Sequence, residues 1–158
     1  MANVLLTRID ERLMHGQIGS QWTKSLGANL LLIANDAVAA DSIKQGIMNM
    51  AAPSGVATRF FSLQKTIDII DKASPDQKIF IIVENPQDAL TLIEGGVPIT
   101  KVNIGNMAMN SGKRQVGSSV AVDDADVEIF RKMKDRGIEL TIQRVPSSDV
   151  EDLAKLGL

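Results

Sequence analysis

Short apolar segments recur along the chain with helix-like segments between them, a pattern that predicts parallel strands joined by crossover helices. Six of these segments are mostly apolar rather than alternating, as expected for strands that are covered on both faces. They are residues 4–7, 30–34, 57–61, 79–83, 101–104 and 139–143. The pattern therefore predicts an α/β fold with a buried, mostly parallel sheet.

Several of the intervening segments carry helix signals. Apolar residues repeat at helical spacing in two of them, at Ile18, Trp22 and Leu26 and at Leu63, Ile67 and Ile70. A third segment has acids at 123–128 and bases at 132–136, which matches the dipole of a helix. We interpret these acids as a helix start rather than a metal site.

Length and composition limit the classes of function. The 158 residues, of which 44% are hydrophobic, predict a single domain over 1–158. A net charge of −2 and only 3% aromatic residues argue against nucleic-acid binding, and the absence of cysteine excludes disulfides and thiolate nucleophiles. Neither a membrane-spanning run nor a signal peptide is visible, so we expect a cytoplasmic protein.

The candidate chemistry centres on His15, which follows the first predicted strand and precedes the first predicted helix. A side chain at this point faces free backbone N–H groups at the positive end of the helix dipole, an arrangement suited to phosphate. Gly16 leaves room for that approach. Residues 105–116 form a long polar segment after another strand, at the same edge of the predicted sheet, and we expect a loop there.

Two arginines precede His15 in the sequence and are four residues apart. Arg8 and Arg12 share one face whether the backbone is extended or helical. An extended backbone adds Asp10 to that face and a helical one adds Glu11; we favour Asp10, with Glu11 as the alternative. Because these charges cancel, an anion site requires one acid to turn away or to bind and orient an arginine.

Two nearby guanidiniums and a helix N-terminus disfavour a charged imidazolium, so we expect His15 to be neutral and able to attack phosphorus. The alternative is a surface or helix-capping histidine with two solvated arginines. Three further residues could contribute to the rim of the site: Ser62, Lys113 and Arg114. Helix capping is the stronger interpretation for Ser62, and a solvated loop pair is the alternative for Lys113 and Arg114.

The segment RIDERLMHGQI at 8–18 resembles the active-site signature of the IIB components of the mannose/fructose/sorbose/N-acetylgalactosamine family of the bacterial sugar phosphotransferase system. The similarity extends over essentially the whole chain. It implies a three-layer α/β/α domain and a phosphotransferase. Met14 stands where aliphatic residues are more usual in this family.

By this resemblance, His15 accepts a phosphoryl group on Nδ1 from a phosphohistidine of a IIA component and passes it to a sugar held by the membrane components IIC and IID. Arg8 and Arg12 then stabilise the phosphoryl group and Asp10 orients the site. No cofactor is implied. We expect IIA to be a separate chain and this domain to associate peripherally with the membrane permease.

The resemblance leaves the sugar open, with a leaning towards an amino sugar, and a homo-oligomer is compatible with the sequence. Two other functions compete with it. One is a non-enzymatic module that binds a phosphorylated metabolite, in which His15 only donates or accepts a hydrogen bond. The other is a regulatory protein that uses its phosphorylation state as a signal.

Overall fold

The computed structural model describes residues 1–158, in which eight strands and six α-helices succeed one another. The strands are β1 (Asn3–Asp10), β2 (Leu30–Ala34), β3 (Ala57–Phe61), β4 (Lys78–Val83), β5 (Lys101–Asn106), β6 (Arg114–Gly117), β7 (Val120–Val122) and β8 (Glu139–Ile142). The helices are α1 (Ile18–Leu26), α2 (Asp36–Ala39), α3 (Ser42–Ala51), α4 (Leu63–Ile69), α5 (Pro86–Glu94) and α6 (Asp124–Asp135). Short 3₁₀ turns occupy Ile70–Lys72 and Leu153–Leu156.

Six strands form one sheet in the order β3-β2-β4-β1-β5-β8, and every neighbouring pair is parallel. The sheet lies between two layers of helices. Along β4, Ile79, Ile81 and Val83 join a hydrophobic cluster with α5 and α6, whereas Phe80 and Ile82 join a second cluster with α1. The predicted three-layer α/β/α fold with a mostly parallel sheet is therefore confirmed.

All six predicted strands are present, but β1 is longer than its apolar segment. It continues through Arg8 and Asp10, whose side chains are each only 1% exposed. Charged residues normally end a buried strand because an unpaired charge is costly to desolvate. Here the two side chains form an ion pair, so that the strand can extend into the site.

The loop expected at 105–116 is present but shorter, at 108–113. Strand β5 runs to Asn106, and residues from Arg114 onward form β6, which pairs with β7 as an antiparallel hairpin. The hairpin forms because its valines, Val116, Val120 and Val122, are buried in the core. Met107 follows β5; its backbone N–H donates to the Ser119 carbonyl, and its carbonyl accepts from the backbone N–H of Ala121. These two bonds hold the turn of the hairpin at the end of β5.

Helix α6 begins at the predicted acidic cluster. Its N-cap is Asp123, whose side chain accepts a hydrogen bond from the backbone N–H of Asp126, and the Asp126 side chain accepts one in return. These acids therefore mark the start of a helix, and this prediction is confirmed. None of the helices combines the length and the hydrophobicity that crossing a membrane requires.

We predict that Asp123→Ala lowers the free energy of unfolding by about 1 kcal/mol, because it removes this cap. Urea denaturation measures the change. Asp135→Ala, at the other end of the same helix, is the control: it removes an acid from the negative end of the dipole and should leave the stability equal or slightly higher.

The effect of Asp123→Ala should also depend on pH. The backbone N–H of Asp126 lowers the pKa of Asp123 in the folded chain, and Lys113 acts in the same direction. The cap therefore contributes fully above the unfolded pKa of about 4 and loses its contribution as the pH falls through the lower folded value. A difference between the two proteins that grows on acidification would contradict this origin.

Candidate active site

The site is built around the buried Arg8 guanidinium, which lies between the sheet and α1. Its Nε and Nη2 donate to Asp10 Oδ2 at 3.3 and 3.2 Å. Its Nη1 donates to Asn103 Oδ1 at 2.6 Å and to the backbone carbonyl of Gln143 at 3.2 Å. The ring of Trp22 covers it, with the ring centroid 5.6 Å from Cζ. Neighbours from β1, β5, α1 and the end of β8 therefore fix this one side chain.

Burial lowers the pKa of Arg8, although the charge and hydrogen bonds of Asp10 oppose this effect and the charge of Arg144 adds to it. Space for the guanidinium comes from Gly105. This residue is bypassed in the pairing of β1 with β5, where Ile9 pairs with Ile104 and Asp10 with Asn106. A Cβ atom at Gly105 would collide with the Arg8 guanidinium.

The Asp10 carboxylate connects this ion pair to the imidazole. Oδ2 accepts from Arg8, whereas Oδ1 accepts from the backbone N–H of Arg12 at 3.0 Å and from Asn106 Nδ2 at 3.2 Å. His15 Nε2 lies 3.2 Å from Oδ1 and 3.1 Å from Oδ2. Because a carboxylate accepts hydrogen bonds, it favours the tautomer with the proton on Nε2, which leaves the lone pair on Nδ1.

The turn between β1 and α1 sets the position of the imidazole. Leu13 adopts a left-handed backbone conformation with φ of 58°, which is unusual for a residue with a side chain, and its N–H donates to the carbonyl of Asp10. Leu13 and Met14 are both buried and anchor the turn in the core. His15 follows with its side chain 13% exposed, and Gly16 is left-handed at φ of 51°.

His15 opens onto a polar cavity of about 540 Å³. The cavity is lined by Arg8, Arg12, His15, Gly16, Gln17, Ile18, Asn106, Ser118, Ser119 and Arg144. The N-cap residue of α1, Gln17, makes no side-chain capping bond, and no acid lies in the first turn. A helix start with free N–H groups therefore forms part of the wall, together with three arginines.

The structure brings together five of the residues singled out in the sequence: Arg8, Asp10, Arg12, His15 and Gly16. Asp10 is the acid that shares the site. Glu11, the alternative, is exposed and does not line this cavity. An anion site required one acid to turn away or to bind an arginine. Glu11 turns away from the cavity, and Asp10 binds Arg8.

The environment of the imidazole differs from the expectation in one respect. The group that contacts the ring is the Asp10 carboxylate, whereas Arg8 directs its guanidinium to Asp10, Asn103 and Gln143. The two guanidiniums expected beside the ring therefore do not hydrogen-bond to it, whereas the helix N-terminus that was also expected forms part of the cavity wall. The carboxylate instead decides which nitrogen carries the proton.

Three expected rim residues lie outside the cavity. Ser62 caps α4, its Oγ accepting from the backbone N–H of Lys65 at 3.0 Å. Lys113 and Arg114 pair with the first turn of α6, at 3.3 Å from Asp126 and 3.3 Å from Asp124 respectively. The reason is electrostatic for the two cations, because the acidic helix start attracts them away from the site.

Sequence reasoning missed other lining residues. Asn106 ends β5 and Arg144 follows the predicted last strand, so that the rule that sites form at the carboxyl edge of a parallel sheet could have found both. Ser118 and Ser119 lie in the turn of the β6–β7 hairpin. No motif marked them, since only the pairing of the hairpin with the end of β5 brings them to the cavity.

Residues 4–158 match the family described as PTS system sorbose subfamily IIB component. The N-acetylgalactosamine-specific phosphotransferase enzyme IIB component 2 of Escherichia coli (strain K12) is 47% identical over 156 residues, 99% of each chain. The crystal structure of the N-acetylgalactosamine-specific IIB component 1 from Escherichia coli superposes with a TM-score of 0.91 at 48% identity, covering 96% of this chain and 99% of that one.

A longer protein matches as well. The PTS system mannose-specific EIIAB component of Escherichia coli (strain K12) is 39% identical over 141 residues. The match covers 89% of this chain but only 44% of that protein. This chain therefore corresponds to one part of the longer relative.

We predict that Gly105→Ala lowers the free energy of unfolding by about 1–3 kcal/mol, because the added methyl group displaces a buried guanidinium that makes four hydrogen bonds. Gly46→Ala is the matched control. Gly46 lies exposed in α3 with open space around it, so the same change should raise the stability by about 0.5–1 kcal/mol through helix propensity. Equal effects in urea denaturation would show that Gly105 is not needed for Arg8.

Proposed function

Because this chain belongs to the sorbose subfamily of IIB components of the sugar phosphotransferase system, we propose that His15 is its phosphoryl carrier. The observation that supports this role is the contact of His15 Nε2 with Asp10 at the mouth of a cavity lined by arginines. That contact directs the lone pair of Nδ1 away from the carboxylate. The reactive nitrogen is thereby selected before a phosphoryl group arrives.

In the first step, Nδ1 attacks the phosphorus of a phosphohistidine on a IIA component. The N–P bond of IIA breaks as the new N–P bond forms on His15, and the IIA imidazole leaves with the electron pair. With Nε2 protonated, the phosphorylated ring carries a positive charge. The Asp10 carboxylate, at 3.1 Å, stabilises that charge as it develops.

In the second step, a sugar hydroxyl attacks the phosphorus and the Nδ1–P bond breaks. The electron pair returns to the imidazole, and the hydroxyl proton passes to solvent or to a base on the sugar-binding component. Phosphoryl transfer of this kind depends on positioning and on charge stabilisation of the phosphoryl oxygens. Cavity arginines with free donor groups and the first turn of α1 stabilise the oxygens here, Asp10 positions the imidazole, and Gly16 leaves the approach to His15 open.

The proposed substrate is an amino sugar of the N-acetylgalactosamine type, because two relatives with 47–48% identity carry that specificity in their names. A IIA component is the proposed donor, since the mannose-specific relative joins IIA and IIB in one EIIAB protein. The membrane components IIC and IID are the proposed holders of the sugar. The chain would then work at the cytoplasmic face of the membrane.

The experiment incubates the purified chain with phosphoenolpyruvate, the general phosphotransferase components and a IIA donor. We expect an acid-labile, alkali-stable adduct on His15 that discharges when membranes with IIC and IID and N-acetylgalactosamine are added. His15→Gln should abolish the adduct. Discharge by sorbose or mannose instead would correct the sugar only.

The other functions predict different results in the same experiment. Phosphate-ester binding that survives His15→Ala, without any adduct on the wild-type chain, would identify a metabolite-binding module. An adduct that forms but does not discharge with any sugar and membrane component would identify a regulatory protein. Either result would overturn the proposed transfer function.

We predict that Asp10→Asn slows phosphorylation of His15 about ten- to a hundredfold, because the charge that selects the tautomer and stabilises the phosphorylated ring is lost. Glu11→Gln is the matched control and should change the rate by less than about twofold, since Glu11 is exposed and unpaired. Urea denaturation of both variants separates a loss of rate from a loss of folding. Equal rates in a folded Asp10→Asn variant would contradict the role of Asp10.

A further inference from the structure

The three arginines that line the cavity differ in what their guanidiniums already bind. Arg8 is 1% exposed and uses all three of its side-chain nitrogens on Asp10, Asn103 and the Gln143 carbonyl. The guanidiniums of Arg12 and Arg144 are exposed and form no ion pair and no hydrogen bond within the chain. Arg8 thus uses four of its five N–H groups within the chain, whereas Arg12 and Arg144 have all of theirs available for a ligand.

Arg144 is exposed, yet its backbone is held firmly. The indole Nε1 of Trp22 donates to the carbonyl of Arg144 at 3.0 Å. The preceding carbonyl, of Gln143, accepts from Arg8 Nη1 at 3.2 Å and from Asn103 Nδ2 at 3.1 Å. Three buried or part-buried donors thus fix the start of the segment after β8, and this fixes the point from which the Arg144 side chain reaches the cavity.

The charge distribution also distinguishes the two kinds of arginine. Asp10 neutralises Arg8 at 3.2 Å, whereas no carboxylate pairs with Arg12 or Arg144. Arg12 and Arg144 therefore bring two unpaired positive charges to one cavity, and an anion bound there would reduce their repulsion. A phosphoryl group carries about −1.5 to −2 charges and three acceptor oxygens, which match two planar forks of donors.

We propose that Arg144, together with Arg12, binds the phosphoryl group of phosphorylated His15, and that Arg8 is a positioning residue that acts through Asp10. This inference rests on the proposed function and deepens it. It reassigns Arg8, which the sequence resemblance placed among the phosphate-stabilising residues, and adds Arg144. Arg144 is then a catalytic residue because it touches the transferred group, while Arg8 holds the carboxylate that orients the imidazole.

The first experiment measures the rate at which phospho-IIA phosphorylates the wild-type chain and the Arg144→Gln variant. We expect Arg144→Gln to slow the transfer about ten- to a hundredfold and Arg144→Lys to recover part of the rate, since a lysine restores the charge but not the fork. Arg136→Gln, an exposed arginine outside the cavity, should behave as wild type. A rate for Arg144→Gln within about twofold of wild type would overturn the assignment.

A second experiment does not depend on any phosphotransferase partner. Inorganic phosphate is titrated into each protein while the ring signals of His15, which is the only histidine in the chain, are followed by NMR. Phosphate should shift these signals in wild type and Arg136→Gln, and only at about tenfold higher concentration in Arg144→Gln. Equal phosphate affinities would overturn the role of Arg144.

The two experiments separate two kinds of failure. If phospho-IIA does not phosphorylate the wild-type chain, the proposed function fails, while the phosphate titration still decides whether Arg144 binds the anion. If wild type is phosphorylated and Arg144→Gln equals it in either experiment, only the assignment of Arg144 fails.

The positioning role of Arg8 has a spectroscopic test. The ¹⁵N shifts of His15 report the fraction of the ring protonated on Nε2. Arg8→Gln should shift the tautomer away from Nε2–H, and Arg8→Lys should shift it less and preserve folding better. Arg144→Gln should leave the tautomer unchanged. A tautomer that changes with Arg144→Gln as much as with the Arg8 variants would overturn the division of roles.

Discussion

The buried ion pair between Arg8 and Asp10 is the interaction on which the site depends. Breaking a pair of this kind by removing one partner costs about 3–5 kcal/mol, because the other charge is left desolvated. Asn103, the carbonyl of Gln143 and the covering ring of Trp22 make the burial of Arg8 tolerable. Side chains and backbone from four elements therefore converge on one guanidinium, and none of them touches the phosphoryl group in the proposed reaction.

Placing this pair inside β1 separates two tasks that a charged site must perform. Arg8 supplies the charge that holds the Asp10 carboxylate beside the imidazole. That carboxylate in turn favours the tautomer with the proton on Nε2. Arg12 and Arg144 remain free at the cavity wall. A site that receives and releases the same group benefits from this separation, because the orientation of His15 persists while the anion comes and goes.

The turn before α1 carries the remaining constraint. A left-handed backbone at Leu13 costs on the order of 1 kcal/mol or more and persists only where the surroundings enforce it. Burial of Leu13 and Met14 in the core below α1 provides that enforcement. The imidazole is thus placed by apolar packing of the two preceding residues and by its contact with the Asp10 carboxylate, so that its position does not rely on a bound ligand.

The sequence by itself determined the six strands of the main sheet and the central position of His15, because periodicity and spacing along the chain decide these locally. It favoured Asp10 but left Glu11 as an alternative. Only the tertiary structure decided which cation binds which group. Arg144 and the hairpin serines reach the site through strand pairing over long separations, and the need for a glycine at 105 exists only because Arg8 packs on it. Such contacts depend on distances between segments that no local pattern encodes.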